Sequence, residues 1–120
     1  MKRIELFEKA LENTDLDLRE LGINRLVLRA YANQKATQNE YLDFDESIWQ
    51  KDIDELLSFL RENKMENFTI SLTSSSLLYN IDEFEKRGCK LVGLTHIKSP
   101  IETWMGSGER ETIPALLLKV

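Results

Sequence analysis

The sequence predicts an α+β domain bordering on α/β. Three helices precede a β-α-β-β unit, and they pack a small three-stranded mixed sheet. Three observations predict it. Trp49, Ile53, Leu56, Leu57 and Leu60 recur at helical spacing and draw one apolar stripe. Phe68–Leu72, a helix over Ser76–Arg87 and Leu91–Leu94 read as strand, helix and strand. That run favours a parallel pair joined by a right-handed crossover. Ile113–Val120 is a further strand, and its run Ala115-Leu116-Leu117-Leu118 points to burial on both faces.

With 120 residues the chain is long enough for one domain with a core and too short for two, so residues 1–120 form a single domain. Its composition, 42% hydrophobic and 31% charged, is that of a globular protein. No apolar run approaches the roughly 20 residues that span a membrane, and Met1-Lys2-Arg3-Ile4-Glu5 does not open a signal peptide. The expectation is a cytoplasmic protein. A single cysteine, Cys89, excludes an internal disulfide and a cysteine metal cluster. The net charge of −5 argues against direct nucleic-acid binding, which needs clustered Lys and Arg to neutralise phosphates. It is compatible with the basic surface of a protein partner, and equally with simple solubility.

In chain order, Ile4, Phe7 and Leu11 share a face, so residues 3–12 predict a short amphipathic helix. Leu16, Leu18 and Leu21 fall in an acid-rich turn or short helix that Gly22 ends. Residues 23–36 are ambiguous. Arg25–Arg29 can be extended, but Ile23, Leu26, Val27, Ala30 and Tyr31 fit the helical repeat, and Ala30, Ala32, Gln34 and Ala36 favour helix. Helix is the expectation. Asp43 or Asp45 can cap the next helix, and Asp43 with Glu46 has capping-box spacing.

Thr73-Ser74-Ser75-Ser76 supplies caps for the helix of the central unit. That helix buries Leu77, Ile81 and Phe84, with Leu78 beside them. It ends on Lys86 and Arg87, then Gly88 as the left-handed residue and Cys89 as its apolar partner. Ile101–Thr112, bounded by Pro100 and Pro114, is a hairpin arm carrying Gly106 and Gly108. Pro114 fits only near a strand start or a sheet edge.

Candidate chemistry is sparse. Thr73, Ser74, Ser75 and Ser76 stand where a helix N-terminus can hold a phosphate, but there is no glycine for close approach and no P-loop lysine. Helix capping explains them as well. His96, the single histidine, alternates along a strand, and a sheet-face histidine is the plainer reading. Cys89 lies after a helix C-terminus, the wrong end for a thiolate, and reads as a small hydrophobe. Asp43, Asp45, Glu46, Asp52, Asp54 and Glu55 lack the glycine and distal glutamate of a calcium loop. They read as caps and solvated charges. Neither a metal nor a cofactor is expected. Trp104 and Met105, with Glu102, Glu109 and Glu111, make the arm a candidate partner-binding surface, because Trp and Met are favoured at interfaces. The competing reading folds Trp104 back onto the sheet.

Several strings resemble a known family. They are Leu42-Asp43-Phe44-Asp45-Glu46-Ser47-Ile48-Trp49 with Asp52, Phe68-Thr69-Ile70-Ser71, Gly88-Cys89-Lys90-Leu91-Val92-Gly93-Leu94 and Ile113-Pro114-Ala115. Over roughly residues 40–120 they resemble an uncharacterised family of small proteins on bacterial conjugative and phage-like elements, often near anti-restriction genes. The resemblance implies a mobile-element accessory protein that acts against host defence. It carries over no catalytic residue. Phe84-Glu85-Lys86-Arg87-Gly88-Cys89, followed by a strand and a hairpin, looks like the end of an acetyltransferase of the GNAT type. The glycine-rich pyrophosphate turn of that family has no counterpart here, so coenzyme A is not expected.

The expectation is therefore a non-enzymatic protein-binding inhibitor, such as an anti-CRISPR protein. The alternative is a small-ligand or nucleotide-binding domain using Thr73–Ser76.

Overall fold

The computed structural model describes residues 24–104, 106 and 108–120. The expected elements at residues 3–12 and 16–21 lie outside them, as do Met105 and Ser107. The described elements run α1 (Arg25–Thr37), β1 (Asp43–Phe44), α2 (Gln50–Glu62), β2 (Asn67–Ile70), α3 (Leu77–Lys86), β3 (Lys90–Lys98) and β4 (Thr112–Lys119). Three helices and a four-stranded mixed sheet make an α+β fold. The sheet order is β1-β2-β4-β3.

Residues 25–37 are helical, as the Leu26, Val27 and Ala30 periodicity predicts. Asn24 caps α1, its Oδ1 accepting from the backbone N–H of Leu26 at 2.9 Å. Gln38 closes the helix in the left-handed conformation. α3 ends in the full Schellman arrangement. Gly88 takes φ +92° and donates to Glu85 O, while the Cys89 N–H donates to Phe84 O, each at 3.1 Å.

Two expectations about the sheet are corrected. It has four strands rather than three, because Asp43–Phe44 pairs parallel with β2. β2 and β3 do run in the same direction, but β4 lies between them, antiparallel to both. The strand–helix–strand unit is therefore split. The ribbon β3–β4 extends beyond β2, whose last partner on β4 is Leu116 opposite Ile70. Pro114 lies past that point, opposite His96, where β4 has a described neighbour on one side only. Its missing N–H therefore breaks no ladder bond.

Paired residues point to the same side of a sheet. Phe44, Ile70, Leu116 and Leu94 thus form one row on one face, beside a second of Phe68, Leu118 and Leu91. The core forms on this face. Phe68 stands between Phe44 and Phe84, with ring centroids 5.8 and 5.0 Å away. Ile53, Leu56, Leu57, Phe59 and Leu60 of α2 and Leu26, Val27 and Ala30 of α1 complete it. The core cluster lies against the β1-β2-β4 side, and of β3 only Ile97 is buried. On β3, Leu91, Val92 and Leu94 stay 42%, 60% and 68% exposed. The run Ala115–Leu118 is accordingly only in part buried: Ala115 and Leu118 are, while Leu116 and Leu117 are half-buried.

Trp49 does not lie in the core. It is 71% exposed and occupies the N-cap of α2. Neither Asp43 nor Asp45 caps that helix, and no side chain does.

Candidate functional site

Asp43, Thr69 and Asn80 are the buried polar side chains among the described residues, and Asp43 and Thr69 stand together. β1 places Asp43 beside β2, at 6% exposure. Its Oδ1 accepts from Thr69 Oγ1 at 2.8 Å and its Oδ2 from Ser71 Oγ at 2.6 Å. Burial raises its pKa above the usual aspartate range, against the opposing pull of those two hydroxyls. Each oxygen has a hydroxyl partner on β2 or just after it, so the cluster ties β1 to β2.

The other acids are spent on structure as well. Arg29 pairs with Asp45 and Glu46 at 3.1 Å each, and Arg25 with Glu46 at 2.8 Å. Asp52 and Glu55 both accept from Asn24 Nδ2 at 3.2 Å. Asp54 pairs with Arg87 at 2.7 Å. Among the described residues no three His, Cys, Asp or Glu side chains stand together as a metal site. Burial pushes the Cys89 thiol up, away from the reactive thiolate. His96 is exposed on β3 beside Pro114.

At the entry to α3, Ser74 Oγ accepts from the backbone N–H of Ser76 at 3.3 Å, while the Ser76 side chain does not cap. Ser76 is in helical conformation. Its Oγ lies 2.6 Å from Ser47 Oγ and 2.7 Å from Ser74 Oγ, and Ser47 and Ser74 are 3.3 Å apart. The hydroxyls satisfy one another and clamp the entry to α2 against the entry to α3. Thr73, Ser74 and Ser75 are exposed.

Described residues of the arm between β3 and β4 bond one another across it. Ser99 N donates to Glu111 O and Thr103 N to Glu109 O, both at 2.8 Å, continuing the hairpin beyond the strands. Glu102 Oε2 accepts from Gly106 N at 2.7 Å, and Glu102 lies 3.7 Å from Arg110, which also donates to Ser99 O. Glu102 therefore shapes the loop. Glu109 and Glu111 are exposed. Trp104 is 70% exposed and Ile101 74%, so Trp104 does not fold back onto the sheet.

Sequence reasoning missed a second apolar surface. Leu78 and Tyr79 are 80% and 76% exposed, on the side of α3 away from Phe84. Their signal was legible: a stripe of Leu77, Ile81 and Phe84 leaves positions 78 and 79 outside it.

Residues 26–120 match the family model described as Domain of unknown function (DUF7698). The chain belongs to that family. No curated protein matches it, and no solved structure does. The DUF7698 match covers every described element except the first residue of α1. Both apolar surfaces therefore belong to the family domain. No described helix is long and apolar enough to cross a membrane.

Proposed function

We propose that this chain is a non-enzymatic protein-binding module that engages its partner through the arm between β3 and β4. The observation that carries the reading is Trp104, a large apolar side chain 70% exposed on a loop held by its own hydrogen bonds. A tryptophan left mostly in water buries little apolar surface for the fold, whereas tryptophans commonly dominate interfaces. A loop already fixed by Glu102 and by the Ser99–Glu111 and Thr103–Glu109 bonds loses little freedom on docking, which favours affinity. Glu109, Glu111 and the net charge of −5 suit a basic partner surface. The sequence resemblance adds the setting, a cytoplasmic accessory protein of a mobile element that inhibits a host defence protein, such as an anti-CRISPR. The ligand-binding alternative at Thr73–Ser76 has less support, since Ser74 and Ser76 already bond each other and Ser47.

The test is site-specific photocrosslinking in bacteria that carry defence systems. A photoreactive residue in place of Trp104 should give one discrete protein adduct, and one in place of exposed Ser58 on α2 should not. No adduct from position 104, or the same adduct from both, counts against the arm. A nucleotide or coenzyme A that raises Tm at sub-millimolar concentration favours the ligand-binding alternative.

A further inference from the structure

Two helices of this fold end alike and differ at one position. At the end of α3, Gly88 N donates to Glu85 O and Cys89 N to Phe84 O, with Gly88 at φ +92°. At the end of α2, Lys64 N donates to Arg61 O at 3.1 Å and Met65 N to Leu60 O at 2.9 Å, with Lys64 at φ +55°. That position favours glycine, because a Cβ is penalised there. Lys64 and Gln38 are the described residues other than glycine that take positive φ. Ending α2 does not require a lysine, and the side chain of Lys64 is exposed. Residues that break a local rule without a structural return are where function is expected.

Lys64 lines a cleft of about 500 Å³ together with Arg61, Met65, Glu66, Lys119 and Val120. Arg61 is fixed at one corner of its guanidinium, where Nη2 donates to Arg87 O at 3.1 Å. Lys119 stands opposite Lys90 on β3, so both side chains project from the same side of the sheet. Like charges so placed cost stability. On its other side Lys119 faces Asn67, which is neutral. A second local rule is thus broken at the same end of the sheet.

The cations here are not spent on the protein's own acids. Among the described residues Arg25, Arg29, Lys86, Arg87 and Arg110 pair with carboxylates. Arg61, Lys64, Lys90 and Lys119 do not. Lys51 and Lys98 are unpaired too, but they stand at the other ends of α2 and β3. Glu66 is the carboxylate side chain in the lining. With a further carboxylate counted at Val120, the four cations remain in excess. This excess arises in a chain whose net charge is −5.

We infer that Arg61, Lys64 and Lys119, with Lys90 beside them, form a binding site for a small oligophosphate, either inorganic or carried by a nucleotide. The guanidinium can take phosphate oxygens in pairs, and the ammonium groups act as point charges along the phosphate chain. The cleft has the size of a small-molecule site. A long polyanion would run past this end onto the acidic remainder of the surface, so a compact ligand with concentrated charge fits better than nucleic acid. The site lies at the opposite end of β2 from Thr73–Ser76 and does not depend on the arm.

The test is calorimetric titration of the full chain with inorganic tripolyphosphate and with ATP, without added metal. At least one should bind with a sub-millimolar Kd that weakens as salt is raised. Binding of both assigns the phosphate chain as the recognised part, and binding of ATP alone assigns the nucleotide. Lys64→Gly should weaken binding about tenfold while Tm holds or rises, since glycine suits the left-handed position. Lys119→Gln should weaken it about as much. Ser76→Ala should leave it unchanged, as should Lys51→Gln, about 15 Å from Arg61 along α2. Amide shifts in labelled protein should move around residues 60–66 and 118–120. Failure of both ligands to bind overturns the inference, as does undiminished binding by Lys64→Gly and Lys119→Gln. Equal binding of a short glutamate peptide, or amide shifts confined to residues 73–77, overturns it too.

Discussion

Asn80 holds Ile48 at both ends of its backbone: Nδ2 donates to Ile48 O at 2.8 Å, and Oδ1 accepts from Ile48 N at 3.1 Å. Both residues are buried, with 4% exposure each. One amide side chain does the work of a strand neighbour for a segment in no strand, and it joins the entries of α2 and α3.

Asn80→Ala should therefore be expensive. It leaves the buried N–H and C=O of Ile48 without partners, each worth about 1–3 kcal/mol. We expect a loss of about 2–4 kcal/mol, read from the urea midpoint. A change under about 0.5 kcal/mol would mean that water replaces the amide and that the joint is not rigid.

Leu56 and Trp49 share the sequence stripe and should respond in opposite ways. Leu56 has no exposed surface, so Leu56→Ala should cost about 2–5 kcal/mol as a core cavity. Trp49→Asp should be neutral or stabilising by about 0.5–1 kcal/mol, because it supplies the missing cap. Paired denaturation curves check both.

Those two residues also show how far the sequence was legible. Periodicity located α2 and its buried face, and the same logic found α1 and α3. It failed at Trp49 because the apolar repeat continues one step past the helix. At φ −73° and ψ 145° the backbone there is extended, so the side chain no longer follows the helical rotation. β1 escaped notice because two residues carry no period, and an aspartate is a poor strand former. It becomes a strand through Thr69 and Ser71, which are distant in sequence. The insertion of β4 between β2 and β3 is likewise a long-range choice that no local pattern encodes. Of the arm, the sequence left open whether Trp104 is exposed or folds back, and the 70% exposure decides it. The use of Glu102 inside the loop was not legible, since its partners are Gly106 and Arg110 across a turn.

Asp43 predicts a pH dependence. Burial raises its pKa in the native state, so the folded protein keeps this proton to higher pH than the unfolded chain. Across that window the native state binds more protons, and stability falls as pH rises through it. Asp43→Asn removes the titration. Its stability relative to the unaltered protein should therefore improve as pH rises from the ordinary aspartate range through the raised native pKa, compared by urea midpoints. A constant difference would mean that Asp43 titrates alike in both states.

Gly88 ends α3 at φ +92°, with no heavy atom within 4 Å of where a Cβ would stand. Gly88→Ala should cost about 1 kcal/mol, from backbone conformation alone. A much larger thermal loss would point to a crowded position.

The central claim is that Trp104 serves a partner and not the fold. Its most direct test measures Trp104→Ala twice: for affinity towards the crosslinked partner and for Tm. The expected result is an affinity loss of more than about tenfold, equivalent to about 1.4 kcal/mol or more, with Tm unchanged. Unchanged affinity, or a fall in Tm that accounts for the lost binding, would contradict it.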